Sequence, residues 1–209
     1  MPTPSHALAI HTASPELGLA MADQGREYRC QVWNLGRDLS THLHLHLAEF
    51  LPPQAWAALE FMAVAKGPGG FTGTRIGVVT ARTLAQQLNI PLFALSTLSA
   101  IAWAHRDRAQ GQTIAVEMQA QRGEIFAAIY QVLPDEGGLQ AILPDMVLSP
   151  AQWQETLDDR KPQYVIRAEG GLGSSVKDLL HLAYCLWQQG ERPHWSEALP
   201  FYGQHPVTG

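Results

Sequence analysis

The twelve residues "KGPGGFTGTRIG" (66–77) hold five glycines between an apolar run and a helical pattern. A strand, a glycine-rich turn and a helix start would gather free N–H groups and the positive end of a helix dipole. That is the chemistry that holds a phosphate. The known phosphate templates do not fit. No lysine follows Gly73, as a Walker A loop requires, and a dinucleotide fingerprint begun at Gly67 and Gly69 meets Thr72 where its third glycine belongs. On spacing alone, a structural corner and a phosphate loop both stay open.

A second candidate is "THLHLHLAEFLPP" (41–53). As a strand it would set His42, His44 and His46 on one face, a metal-binding arrangement. As a helix it puts Leu43, Leu47, Phe50 and Leu51 on one stripe and stops at Pro52. The helix uses more of the segment. It leaves only His42 and His46 as an i, i+4 pair without a carboxylate or third ligand, so no metal site is expected. No H-E-x-x-H occurs, and no spacing of Ser, His and Asp marks a nucleophile elbow.

The elements that would position these residues follow a mixed α/β order. Runs at 7–11, 17–22 and 27–33 read as a strand meander, with a tight turn at 23–26. A strand at 59–65, a helix from the glycine corner, a strand at 91–95 and a helix from Ser96 or Thr97 to about Arg108 complete the first half. The second half opens alike, with "TIAVEM", the turn "QAQRG" and "EIFAAIYQV". Then come a helix with a Ser149/Gln152 capping box, a strand at 164–168 and a helix from Val176 stopped by Gly190. The proline-rich tail reads as extended. The boundary is expected in the polar stretch 105–112, giving domains 1–107 and 108–209.

The chain has 209 residues, 46% of them hydrophobic and 16% charged, which describes a folded protein with a real core. A formal charge of -5 argues against a chain that holds nucleic acid alone. The two cysteines, Cys30 and Cys185, match no metal or redox spacing. The start lacks the n- and h-regions of a secretory signal, and no apolar stretch reaches membrane-spanning length. Cytoplasmic residence and no membrane contact are the expectations.

The helix after the glycine corner carries Gly73, Gly77, Ala81 and Ala85 at four-residue spacing, a small-residue stripe that admits another backbone. Ile76, Val79, Thr80 and Thr83 cover a neighbouring face, and Arg75, Arg82, Gln86 and Asn89 lie in a narrow polar arc. Such a helix is expected to be buried on more than one side. One side is its own sheet; the other is a neighbouring helix or a partner.

These residues resemble a known family. "GPGGFTGTRIG" is similar to the "GPGSFTGLRIG" signature of the TsaB family, "LAIHTAS" to its "LAIDTS" opening and "STLSAIA" to "SSLEALA". "QAQRGEIFAAIY" resembles "DARRGEVYAALY", and "ALPFYGQHP" the "PxYLR" tail. The resemblance implies a two-domain actin-like, Hsp70-like (ASKHA) fold of ribonuclease-H-like βββαβαβα units, the second abbreviated. It implies a non-catalytic subunit of the complex that makes threonylcarbamoyladenosine (t6A37) in tRNA. That subunit pairs with the catalytic TsaD through helices matching 41–51 and 72–89, with TsaE as a third component, tRNA touched indirectly and no cofactor. The interface would comprise Leu43, Leu47, Phe50, Leu51, Gly73, Arg75, Ile76, Gly77, Val79, Thr80, Arg82, Thr83 and Gln86. Without TsaD, a homodimer is expected.

Two departures bear on chemistry. His11 stands where active members of the wider fold carry an aspartate near the nucleotide's metal, and Gln119 replaces the aspartate of "DAR". A neutral imidazole is a poor magnesium ligand. His11, Thr12, Ser14, Gly69, Gly70 and Gln119 are therefore expected to form a vestigial nucleotide site, stripped of the acids needed for ATP hydrolysis. The alternative is an ATP-binding phosphotransferase or ATPase of the same fold.

Overall fold

Three strands of the first half alternate alanine with a large aliphatic residue: Ala7–Leu8–Ala9–Ile10, Leu19–Ala20–Met21–Ala22 and Met62–Ala63–Val64–Ala65. Because neighbouring side chains point to opposite faces, the sheet they build has one bulky face and one that is mostly alanine, with Phe61 and Phe93 beside those alanines. The structure, a computed structural model, describes residues 6–23, 27–134 and 137–203. The turn read at 23–26 lies mostly outside those residues, as does the end of the closing motif, 204–206.

The first sheet joins β1 (His6–His11), β2 (Glu16–Asp23), β3 (Glu27–Asn34), β4 (Leu59–Ala65) and β5 (Leu92–Leu95). Their order is β3-β2-β1-β4-β5, antiparallel from β3 to β1 and parallel from β1 to β5. The second sheet joins β6 (Thr113–Gln119), β7 (Ile125–Val132), β8 (Leu139–Leu148) and β9 (Tyr164–Ala168) in the order β8-β7-β6-β9. Its strand directions repeat those of the first sheet, without a fifth strand. The repeat read in the sequence is thus a repeat of topology.

Strand β8 has no counterpart in the expected elements. Its Pro144 interrupts the strand pattern, and β8 lies at a sheet edge, where proline removes no ladder bond that the fold needs.

Helices α1 (Leu39–Phe50) and α2 (Phe71–Leu88) cover the bulky face of the first sheet. The C-cap of α2 is Asn89 in the left-handed region, φ 53°. Helix α4 (Pro150–Arg160) begins with the expected capping box, Ser149 and Gln152 bonding reciprocally. It packs on the second sheet through Trp153. Helix α3 (Thr97–Ala104) starts at Ser96, whose hydroxyl accepts the N–H groups of Leu98 and Ser99. A short 3-10 turn, Arg106–Arg108, occupies what reads in the sequence as its last turn.

The remaining packing is reciprocal. Helix α3 follows the first sheet yet lays Leu98, Ile101 and Trp103 on the second. Helix α5 (Val176–Gln188) follows the second sheet yet lays Val176, Leu179, Leu180 and Ala183 on the alanine face of the first. Two polar ties hold this exchange. Tyr130 on β7 donates to Asp145 on β8 at 2.7 Å, with Ser96 at the start of α3 3.4 Å away. Glu16 on β2 accepts the Gly173 N–H at 2.8 Å, just ahead of α5.

Candidate functional site

The end of β1 and the glycine corner fold against each other. Gly70 N–H donates to the Ala13 carbonyl at 2.7 Å, and the Thr12 hydroxyl donates to the Gly73 carbonyl at 2.8 Å. A Cβ on Gly69 would sit 2.1 Å from the Ala13 oxygen, one on Gly73 2.2 Å from the Thr12 carbonyl oxygen, and one on Gly77 2.1 Å from the Thr12 hydroxyl. Close approach of Thr12 and Ala13 therefore accounts for these three glycines. Gly73 and Gly77 of the small-residue stripe admit Thr12, just after β1, and not the backbone of a partner. This corrects the interface reading for Gly73 and Gly77.

Facing this corner across a cleft of about 1580 Å³ are the β6–β7 turn and the loop after β9. Ser14, Gly69, Gly70 and Gln119 line the cleft. His11 and Thr12 do not; both are wholly buried behind it. Among the described residues the His11 ring has no hydrogen-bond partner on either nitrogen, and burial lowers its pKa to about 4. A neutral imidazole, closed off from the cleft, and the amide of Gln119 do not fit a nucleotide-bound magnesium ion.

The cleft is not stripped of acids, which corrects the sequence expectation. Glu117, Glu124 and Glu169 line it, although each lies away from the two strand-end positions considered in the sequence. Glu117, 8% exposed, accepts from Arg167 Nε at 2.6 Å and from the indole N–H of Trp153. The carboxylate in turn raises the Arg167 guanidinium above its ordinary pKa, chiefly through that hydrogen bond. This buried carboxylate is satisfied on both oxygens, as a buried charge must be. The sequence offered one signal for it, a lone glutamate inside the apolar strand "TIAVEM".

The thirteen residues expected at a partner interface separate into two groups. Leu43, Leu47, Phe50 and Leu51 are each at most 5% exposed and belong to the core under the first sheet. The stripe that identifies α1 as a helix is its inward stripe, so these four are not available to a partner. Thr80, with Gly77, also faces inward. Arg75, Val79, Thr83 and Gln86 form an exposed row on α2, with Ile76 and Arg82 half-buried beside it. Val79 is 53% exposed, and on neighbouring α1 so is Leu45, at 52%.

His42 and His46 do lie one turn apart, ring centroids 6.3 Å from each other, and His46 stacks on Trp33 at 4.5 Å. Among the described residues, no three His, Cys, Asp or Glu side chains gather as a metal site.

A family model described as "TsaD: tRNA N6-adenosine threonylcarbamoyltransferase" matches residues 54–185. The tRNA threonylcarbamoyladenosine biosynthesis protein TsaB of Bacillus subtilis (strain 168) is 33% identical over 159 residues. That match takes in 73% of this chain and 66% of the relative. TsaB of Escherichia coli (strain K12) is 25% identical, over 96% of this chain and 95% of the relative. Among solved structures, YeaZ from Pseudomonas aeruginosa superposes with a TM-score of 0.74 at 24% identity, covering 95% of this chain and 99% of that one. A second Pseudomonas aeruginosa structure, described as similar to peptidase YEAZ, gives 0.75 at 24% identity over 96% of this chain and 100% of that one. The mixed α/β, two-sheet fold is shared with these structures. By the motif residues, the match over most of its length and these relatives, the chain belongs to the TsaB family.

Proposed function

We propose that this chain is a non-catalytic subunit of the tRNA t6A37 modification complex, and that it docks on the catalytic subunit TsaD. The observation that carries the reading is the strip left outside the fold on α2: Val79, with Arg75, Thr83 and Gln86 along the same row and Leu45 on neighbouring α1. An apolar centre rimmed by arginine and amide groups suits a specific protein interface. Arg75 and Arg82 at its edge serve orientation more than affinity. His11 and Gln119 support the non-catalytic half of the proposal, because neither strand end offers magnesium an oxygen anion.

On this reading the chain comprises two ribonuclease-H-like units of an actin-like fold, 1–107 and 108–209, the second abbreviated. TsaE joins the larger complex, tRNA is contacted indirectly, and two copies pair through the α2 strip when TsaD is absent. The setting is the cytoplasm; among the described residues no helix is long and apolar enough to cross a membrane.

Co-purification with the cognate TsaD, and adenosine modification measured with and without this chain, test the proposal. Val79→Asp is expected to weaken pairing by roughly thirtyfold or more, as for a central interface residue, while the isolated fold keeps its melting temperature. Leu47→Asp, at a position 3% exposed, should instead destroy the fold. Stoichiometric, tight Mg-ATP binding by the isolated chain in calorimetry would favour an ATP-dependent phosphotransferase instead.

A further inference from the structure

The tail leaves the first core and, by Gly203, reaches the second half. Ala198 is buried beneath the first sheet beside Trp195. Phe201 N–H then donates to the Lys66 carbonyl at 2.6 Å, and the chain lies so close to the glycine corner that a Cβ on Gly67 would stand 2.4 Å from the Phe201 oxygen. The Tyr202 ring packs on Phe71, the first residue of α2, with centroids 4.3 Å apart. A Cβ on Gly203 would meet Val147 at 2.7 Å and Phe126 at 2.8 Å, both on the second sheet. Tyr202 and Gly203 also line the large cleft.

We propose that Leu199–Gly203 is a releasable strap: it spans the cleft from the glycine corner to the β7–β8 hairpin, and its release widens access to the cleft floor. The strap is fastened lightly. Phe201 and Tyr202 are half-buried, Leu199 is 62% exposed, and among the described residues one backbone hydrogen bond and one ring pair supply the specific contacts. Segments with few buried contacts open at lower free energy than the sheets they cross. Phe71, itself 42% exposed, is the fastening point on the first half. The inference stands apart from the TsaD reading, since it concerns only contacts inside this chain.

Two measurements test it in the full-length chain. Hydrogen exchange across a denaturant series should show the Phe201 amide exchanging through a local opening, while the Met62 amide, inside β4, exchanges only with global unfolding. In a Cys30→Ser background, Ser14→Cys places a thiol on the cleft wall, and its labelling rate by a maleimide reports access. Tyr202→Ser removes the ring pair and should raise that rate by roughly two- to tenfold, the equilibrium effect expected of one aromatic pair. The melting temperature should hardly move. An unchanged labelling rate in Tyr202→Ser, or a Phe201 amide that exchanges only together with Met62, overturns the proposal and makes the tail a permanent part of the fold.

Discussion

The two sheets are laid out alike and covered differently. The first has α1 and α2 over its bulky face and α5 over its alanine face. The second has α3, joined by one edge of α5, over one face and α4 alone over the other. By order along the chain α5 corresponds to α2, but it crosses to the first sheet. The outer face of β9 consequently stays open, with Val165 51% exposed and Arg167 in solvent. A repeated strand order does not entail repeated packing. The same halves also differ inside their first strands: β1 finishes in a buried neutral imidazole, while β6 carries, two positions before its end, a carboxylate held by an indole and a guanidinium.

The comparison breaks most visibly in the covering helices. Leu180→Ala empties a fully buried site under the alanine face and should cost about 2–5 kcal/mol in urea unfolding. Val165→Ala, on the open face, should stay within about 0.5 kcal/mol. Equal losses would mean that the second sheet is not bare.

The strand ends should respond next, through pH. In the unfolded chain the His11 imidazole takes up a proton near 6.5, and in the fold only near 4. Its contribution is therefore complete above 6.5 and declines as the pH falls toward 4, by a total on the order of 3 kcal/mol. Stability against pH in His11→Leu should be flatter over that window. A slope unchanged from the parent would show that other groups set the acid response.

Trp153→Phe is the smallest test. It leaves one oxygen of Glu117 without a donor inside the fold, at about 1–2 kcal/mol in the same urea measurement. No loss would mean that Arg167 alone suffices to hold the carboxylate.

Much of the scaffold was legible because it is encoded locally. The leucine stripe of α1, the Ser149 capping box and the glycine corner each depend on residues a few positions apart. The corner's purpose was not, since the groups that Gly69, Gly73 and Gly77 make room for belong to Thr12 and Ala13, far back along the chain. The Glu117 cluster joins residues 36 and 50 positions apart, beyond any spacing rule. The exchange of α3 and α5 left only an indirect trace. Helices that are apolar on most sides announce burial without naming the sheet that receives them. The alternation of alanine with bulky residues in β1, β2 and β4 was the available hint that one face awaited a close-lying helix.

That exchange has a consequence during synthesis. As the polypeptide emerges N-terminal end first, the opening sheet can pair its strands and bury its leucines early, yet its other surface stays wet until Gln188 has left the ribosome. A nascent chain halted near position 107 would carry that bare alanine surface and an α3 with nowhere to rest. Emergence of α5, and not completion of the first sheet alone, is the event that lets this protein become native.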